Sequence, residues 1–193
     1  MRIARVSFSG DLSFEISVPS SMAAELWTTL VSLGDPLKVR PIGLEAMSIL
    51  RAEKGFIIIG KDTDGETMPH DLGFTAPRQK KTAAFIGDRS LHTDRANDAN
   101  RKVLVGLRVA DGAGPLATGA HAITEDPHRR SIGYVTSSYM SPNVGAPVAL
   151  AIIEAPLAKE GATVQIWHMD TVREATVCKP CVYDPEGERL HAG

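Results

Sequence analysis

Apolar and polar residues alternate from the start of the chain. Arg2 to Phe8 and Phe14 to Val18 each show this period, and Ser9-Gly10-Asp11 supplies turn chemistry between them, which predicts a β-hairpin. Pro19-Ser20-Ser21 then offers a hydroxyl N-cap to a helix whose apolar positions are Met22, Leu26, Leu30 and Leu33, ending at Gly34. Leu37 to Val39 reads as a short strand. Gly43 to Lys54 predicts a second helix with Leu44, Met47 and Leu50 on one face, stopped at Gly55. Phe56 to Ile59 reads as a short buried strand, and Asp62-Thr63-Asp64-Gly65 as a turn. Strands and helices in this order predict an antiparallel sheet with helices on one face, an α+β layer.

Beyond residue 101 the helical period disappears. Lys102 to Val109, Ala120 to Glu125, Ile132 to Ser137, Val148 to Ile153, Thr163 to His168 and Val172 to Val177 are strand-like runs separated by Gly, Pro and Asp. Short strands at this spacing predict a small antiparallel barrel or sandwich. Residues 92–101 hold no strong apolar residue and read as an exposed linker, which gives two domains, 1–92 and 93–193.

Composition narrows the function classes. A formal charge of -2 over 193 residues offers no polycationic footprint for nucleic acid. No apolar run reaches the ~20 residues of a membrane helix, and the first residues lack the apolar core of a signal peptide. The cytoplasm is the expected compartment. The two cysteines sit together as Cys178-Lys179-Pro180-Cys181. A redox pair wants this spacing at a helix start, whereas the flanks here read as extended chain, and a zinc site needs two further ligands at a familiar spacing. Both are expected as strand residues. The six histidines form no metal-binding pattern, and Ser20-Ser21 and Ser137-Ser138 have no His/Asp framework for nucleophilic catalysis.

Several stretches together carry a family resemblance. They are Phe8-Ser9-Gly10-Asp11 with Phe14-Glu15-Ile16, and Gly43-Leu44-Glu45-Ala46 through Leu50-Arg51-Ala52-Glu53-Lys54-Gly55. Asp62 to Gly65, Pro69 to Gly73, Phe85 to Leu91, and Gly133-Tyr134-Val135-Thr136 through Pro142 follow in order. This collinear set resembles the glycine-cleavage T-protein (aminomethyltransferase) family. The ending Tyr183-Asp184-Pro185-Glu186-Gly187 is most similar to the carboxy-terminal part of a sarcosine oxidase alpha subunit.

The resemblance implies a partial folate-binding domain followed by the family's barrel domain, with tetrahydrofolate accepting a one-carbon unit from a methylated amine such as sarcosine or a glycine-derived aminomethyl group. Asp11 falls on a family glutamate that accepts hydrogen bonds from the pterin ring; a turn residue bonding its own backbone is the alternative. Arg51 falls on an arginine near the folate site; the alternative is a surface arginine favouring the helix C-terminus. Glu53 is expected as its local partner. Phe8 is expected either to flank the pterin or to sit in the core. The family's catalytic aspartate region precedes the matched stretches, so no catalytic residue is expected here, folate binding is expected to be weak, and the isolated chain is expected to be inactive. There is no Gly-x-Gly-x-x-Gly loop for flavin or NAD. The alternative is a non-catalytic, gamma-like assembly subunit of a heteromeric sarcosine oxidase. A homodimer is the expected state of the isolated chain.

Overall fold

The structure, a computed structural model, describes residues 1–75, 83–110 and 112–192. The chain divides into two compact units, one of residues 1–51 with 184–193 and one of residues 52–183. The division falls in the last turn of a helix.

In the first unit, β1 (Arg2–Arg5) pairs antiparallel with β2 (Phe14–Ser17), placing Ile3 opposite Ile16. The hairpin is therefore shorter than the alternation predicted, and residues 6–13 form its loop. Helix α1 (Ala23–Gly34) follows a single 3-10 turn, Ser20–Met22. No side chain caps either element, so the Ser20-Ser21 cap is not formed. The expected strand at Leu37 to Val39 is absent. Pro36 sits in a second 3-10 turn, Asp35–Leu37, and Lys38 is left-handed at φ 59°, a geometry no strand can hold. Helix α2 (Leu44–Glu53) matches the sequence reading, and Gly55 ends it with φ 72°. A short helix, α3 (Glu188–His191), lies near the carboxy terminus.

The second unit is built on a closed antiparallel barrel. Its strands are β3 (Lys102–Arg108), β4 (His121–Ile123), β5 (Ser131–Ser141), β6 (Ala146–Glu154), β7 (Thr163–His168) and β8 (Thr171–Cys178). Around the barrel the order is β3-β6-β5-β4-β7-β8, and β8 closes onto β3 through Gly106↔Cys178. Alternate residues fill the interior: Val105 and Leu107, Ala149, Ala151 and Ile153, Val164 and Ile166, Ala175 and Val177. The outward Val148, Leu150 and Ile152 of β6 are buried as well. A strand covered on both faces reads as a continuous apolar run, as Val148 to Ile153 does. Cys178 ends β8 and Cys181 lies just beyond it, so only the first is a strand residue; both are free thiols.

Residues 52–75 form part of the barrel unit and hold no strand, which corrects the expectation for Phe56 to Ile59. The backbone N–H of Ile58 is taken instead by the Asp62 carboxylate at 2.8 Å. Residues 92–101 are not a bare linker either. Ala96 is buried, its carbonyl accepts from His70 Nε2 at 2.9 Å, and Arg101 reaches back to Asp71.

Candidate functional site

The β1–β2 loop carries two of the sequence-predicted residues. Its first turn is tied by Ser7 Oγ, which accepts from the Gly10 amide at 3.0 Å, and Gly10 is left-handed at φ 88°. Ser13 Oγ donates to the Asp11 carbonyl at 3.1 Å. The Asp11 carboxylate is 39% exposed, and its Oδ1 accepts from Arg189 Nε of α3 at 2.5 Å. The Leu12 amide donates to the Arg189 carbonyl at 3.1 Å, so loop and helix are fastened by backbone and side chain together. Phe8 is partly exposed on the same loop. Asp11 thus keeps acceptor capacity on its second oxygen, since an ionised carboxylate offers about four lone-pair sites.

Arg51 lies in the last turn of α2. Its side chain is 0% exposed, so it is not the surface arginine of the alternative reading. Arg189 was not foreseen. It lies 178 residues from Asp11, and no spacing or motif links the two.

In the barrel unit, three carboxylates are buried: Asp62, which the sequence presents as a turn residue, Glu53 and Asp71. Asp62 accepts from the hydroxyls of Thr136 and Ser137, the latter at 2.9 Å. Consecutive strand residues normally face opposite ways, but β5 carries a bulge between Val135 and Ser137 that lets both hydroxyls reach one carboxylate. Glu53 accepts from Ser141 Oγ at 2.5 Å and from Asn143 Nδ2 at 2.7 Å, while its carbonyl accepts from the Val182 amide at 2.9 Å. Asp71 accepts from the Met68 amide at 2.7 Å and from Arg101 through both Nε and Nη2. Together these groups fix residues 52–73 against β5 and the residue that leads into β3.

A cavity of about 710 Å³ lies beside the last of these clamps, lined by Asp64, Glu66, Asp71, Arg95, Arg101 and Lys102 among others. Most of its charges are already engaged. Arg101 also donates to the carbonyls of Arg95 and Glu66, and Arg95 pairs with the Glu66 carboxylate. The hydrogen bond to Asp71 raises the Arg101 pKa above its ordinary value. Burial works to raise the Asp64 carboxyl, but hydrogen bonds from Thr67 and the Glu66 amide overcome it and hold the pKa below the ordinary 3.8. Burial raises the Tyr134 hydroxyl and the Cys178 thiol above their ordinary values. Paired to this degree, the cavity serves as a structural clamp.

Comparison with known proteins places these features in a wider setting. The sequence model of the GCVT N-terminal domain matches residues 1–80, and that of the glycine cleavage T-protein C-terminal barrel domain matches residues 102–184. The chain is 36% identical to a sarcosine oxidase subunit alpha of Corynebacterium sp. (strain P-1), over 97% of its own length and 20% of that protein. It is 31% identical to an aminomethyltransferase of Thermoanaerobacter sp. (strain X514), over 85% of its length and 43% of that protein. Among solved structures, the glycine cleavage system aminomethyltransferase T of Bartonella henselae superposes with a TM-score of 0.82 at 27% identity, covering 95% of this chain and 50% of that one. The chain therefore spans half or less of each of these relatives.

Proposed function

This chain belongs to the glycine-cleavage T-protein family, and from that premise we propose that it is the carboxy-terminal part of a tetrahydrofolate-dependent aminomethyltransferase module of the sarcosine oxidase alpha kind. The observation that carries the reading is collinearity. Both family domains lie in order along the chain, and its fold follows that of a solved T-protein over 95% of its length. In this reading the β1–β2 loop forms one wall of the folate site. Asp11 accepts from the pterin N–H and amino groups through the oxygen that Arg189 leaves open, and Phe8 offers an accessible ring edge to the heterocycle. Both residues present surface that such a ligand can use. Arg51 does not; fully buried, it acts as a positioning cation inside the fold. When bound, tetrahydrofolate supplies the amine that accepts the one-carbon unit, and this chain's part is to hold the pterin and keep water from it.

A single wall holds folate weakly, so the module works only with the remainder of the family's N-terminal domain, and the isolated chain carries out no transfer. We assign it to the cytoplasm; no helix among the described residues is long and apolar enough to cross a membrane. The apolar surface left open on the first unit also suits a second reading, a non-catalytic assembly subunit of a heteromeric sarcosine oxidase, and in isolation it suits a homodimer.

Calorimetry with tetrahydrofolate separates these readings. Under the folate reading the purified chain binds weakly, and Asp11→Ala loses about tenfold or more in affinity, since a charge-assisted hydrogen bond contributes roughly 1.5–3 kcal/mol. Equal affinities for the two proteins would remove Asp11 from the site, no binding at all would favour the assembly subunit, and folate-dependent turnover by the isolated chain would refute the need for a second portion.

A further inference from the structure

The carboxy-terminal end of the chain returns to the β1–β2 loop, and both belong to the unit of residues 1–51 with 184–193. Asp184 begins the return in a left-handed conformation, at φ 50°. Its two carboxylate oxygens accept from the backbone amides of Glu188 at 2.9 Å and Arg189 at 3.3 Å, which takes up donors that the first turn of α3 would otherwise leave unpaired. The Gly187 amide donates to the Asp184 carbonyl, and the His191 amide to the Gly187 carbonyl, each at 3.0 Å. Braced in this way, α3 meets the hairpin at three points. The Arg189 carbonyl accepts from the Leu12 amide at 3.1 Å, and the Leu190 carbonyl accepts from Arg5 Nη2 at 3.3 Å. Arg189 Nε donates to Asp11 Oδ1 at 2.5 Å. Side-chain and backbone contacts thus join neighbouring residues, Asp11 and Leu12, to the single residue Arg189.

An ion pair between partners as open to water as these adds little to stability, because solvent screens it and ordering the side chains costs entropy. Its effect here is on direction. The terminal torsion of an aspartate is broad, so an unheld carboxylate turns freely. With Oδ1 bonded to a guanidinium whose own backbone is fastened to the next residue of the loop, that freedom is restricted, and Oδ2 is the oxygen left to a ligand. We propose that Arg189 is a positioning residue of the folate site, aiming the Asp11 carboxylate so that Oδ2 meets the ring N–H and amino donors of the pterin. The inference rests on the folate reading above. It adds that the carboxy-terminal helix sets the selectivity for a heterocycle bearing an amino group. An acceptor held in place before binding loses little freedom when its ligand arrives, and so favours the ligand whose donors match its direction.

The test uses the full chain and calorimetry with two probes, tetrahydrofolate and an analogue lacking the ring amino group. The parent is expected to prefer tetrahydrofolate. Arg189→Gln should weaken tetrahydrofolate binding by about fivefold, the upper end of what an exposed ion pair supplies, and should shrink the preference over the analogue, with circular dichroism unchanged. Arg189→Lys keeps a cation and should restore part of both. In an Asp11→Ala background Arg189→Gln should have no further effect, because a residue that acts through Asp11 then has nothing to aim. Equal proportional losses for the two probes, or a further loss in the Asp11→Ala background, would make Arg189 a structural support and overturn the assignment. Arg189→Gln binding as tightly as the parent, while Asp11→Ala loses affinity, would overturn it and leave the folate reading standing. Asp11→Ala indistinguishable from the parent, or a parent that binds no tetrahydrofolate, would remove the folate reading and this assignment with it.

Discussion

At the scale of single residues, Asp62 is the most consequential side chain outside the proposed folate loop. It has no solvent exposure and accepts from Thr136, Ser137 and the Ile58 amide. Each buried donor left without a partner costs about 1–3 kcal/mol, and Thr136 has a substitute in the Leu150 carbonyl. Asp62→Ala should therefore destabilise the barrel unit by about 3 kcal/mol or more in urea unfolding, and Asp62→Asn by less. A loss indistinguishable from zero would show that the cluster is not a clamp. None of this was legible in sequence. Asp62 sits in a stretch rich in turn residues, and its partners lie 74 and 75 positions away. Asp64, two residues on, makes the acid limb testable. Its folded pKa is below 3.8, as is that of Asp126, where the Thr124 side chain and the His128 amide are the main causes. A depressed carboxyl stabilises the fold fully above its unfolded pKa, and that contribution fades as pH falls through the folded value. Unfolding midpoints measured from pH 7 to pH 2 should thus fall below about pH 4. In Asp64→Asn the midpoint should be lower at neutral pH and converge on the parent's at the acid end; a constant gap would place the effect elsewhere.

At the scale of elements, the barrel was readable because its strand-like runs are punctuated by Gly, Pro and Asp. All six strands lie where those runs placed them, although β5 runs on to Ser141 and β4 shrinks to three residues. The first unit was less readable. Phe56 to Ile59 has a strand's composition, but a side-chain carboxylate takes the amide that a ladder would need, and local patterns carry no record of such competition. The β7–β8 connection gives a prediction of its own. His168 pairs with Thr171, leaving Met169 and Asp170 as a two-residue loop with φ 43° and 63°. Positive φ at both positions is the mark of a type I′ turn, which favours Asn or Gly at its first position. A left-handed conformation costs an ordinary L-residue roughly 1–2 kcal/mol, and Met169 is 78% exposed, so replacing it forfeits little burial. Met169→Asn should stabilise the barrel unit by about 1 kcal/mol, raising its melting temperature by about 2–4 °C. An unchanged or lowered melting temperature would mean the methionine has a role that its exposure hides.

At the scale of the molecule, the collinear motifs made the family legible, because such a set survives where single residues drift; the homodimer expected from that resemblance gains a candidate surface from the structure. Among the described residues of the first unit, no aliphatic or aromatic side chain is fully buried, whereas the barrel unit has a continuous core. Ile3, Phe14, Trp27 and Leu33 are each more than half exposed. Leu26, Trp27, Leu30 and Val31 follow one another at helical spacing along α1, the stripe an amphipathic helix turns toward a partner. Among the described residues the unit's sheet has only β1 and β2, so each strand has an outer edge without a neighbour in that sheet. Monomers rarely leave contiguous apolar patches beyond a few hundred Å², and open edges template pairing with another chain. In isolation the chain should therefore associate through the hairpin and α1, and a two-fold dimer is the simplest closed arrangement. Light scattering at micromolar concentration should report more than one chain per particle. Ile3→Lys or Leu30→Glu should shift the population toward monomer while leaving barrel unfolding unchanged, because both lie outside the barrel unit. A parent chain that is monomeric and binds no apolar dye would mean that the first unit closes its own core in solution, and the picture of an exposed docking face would be wrong.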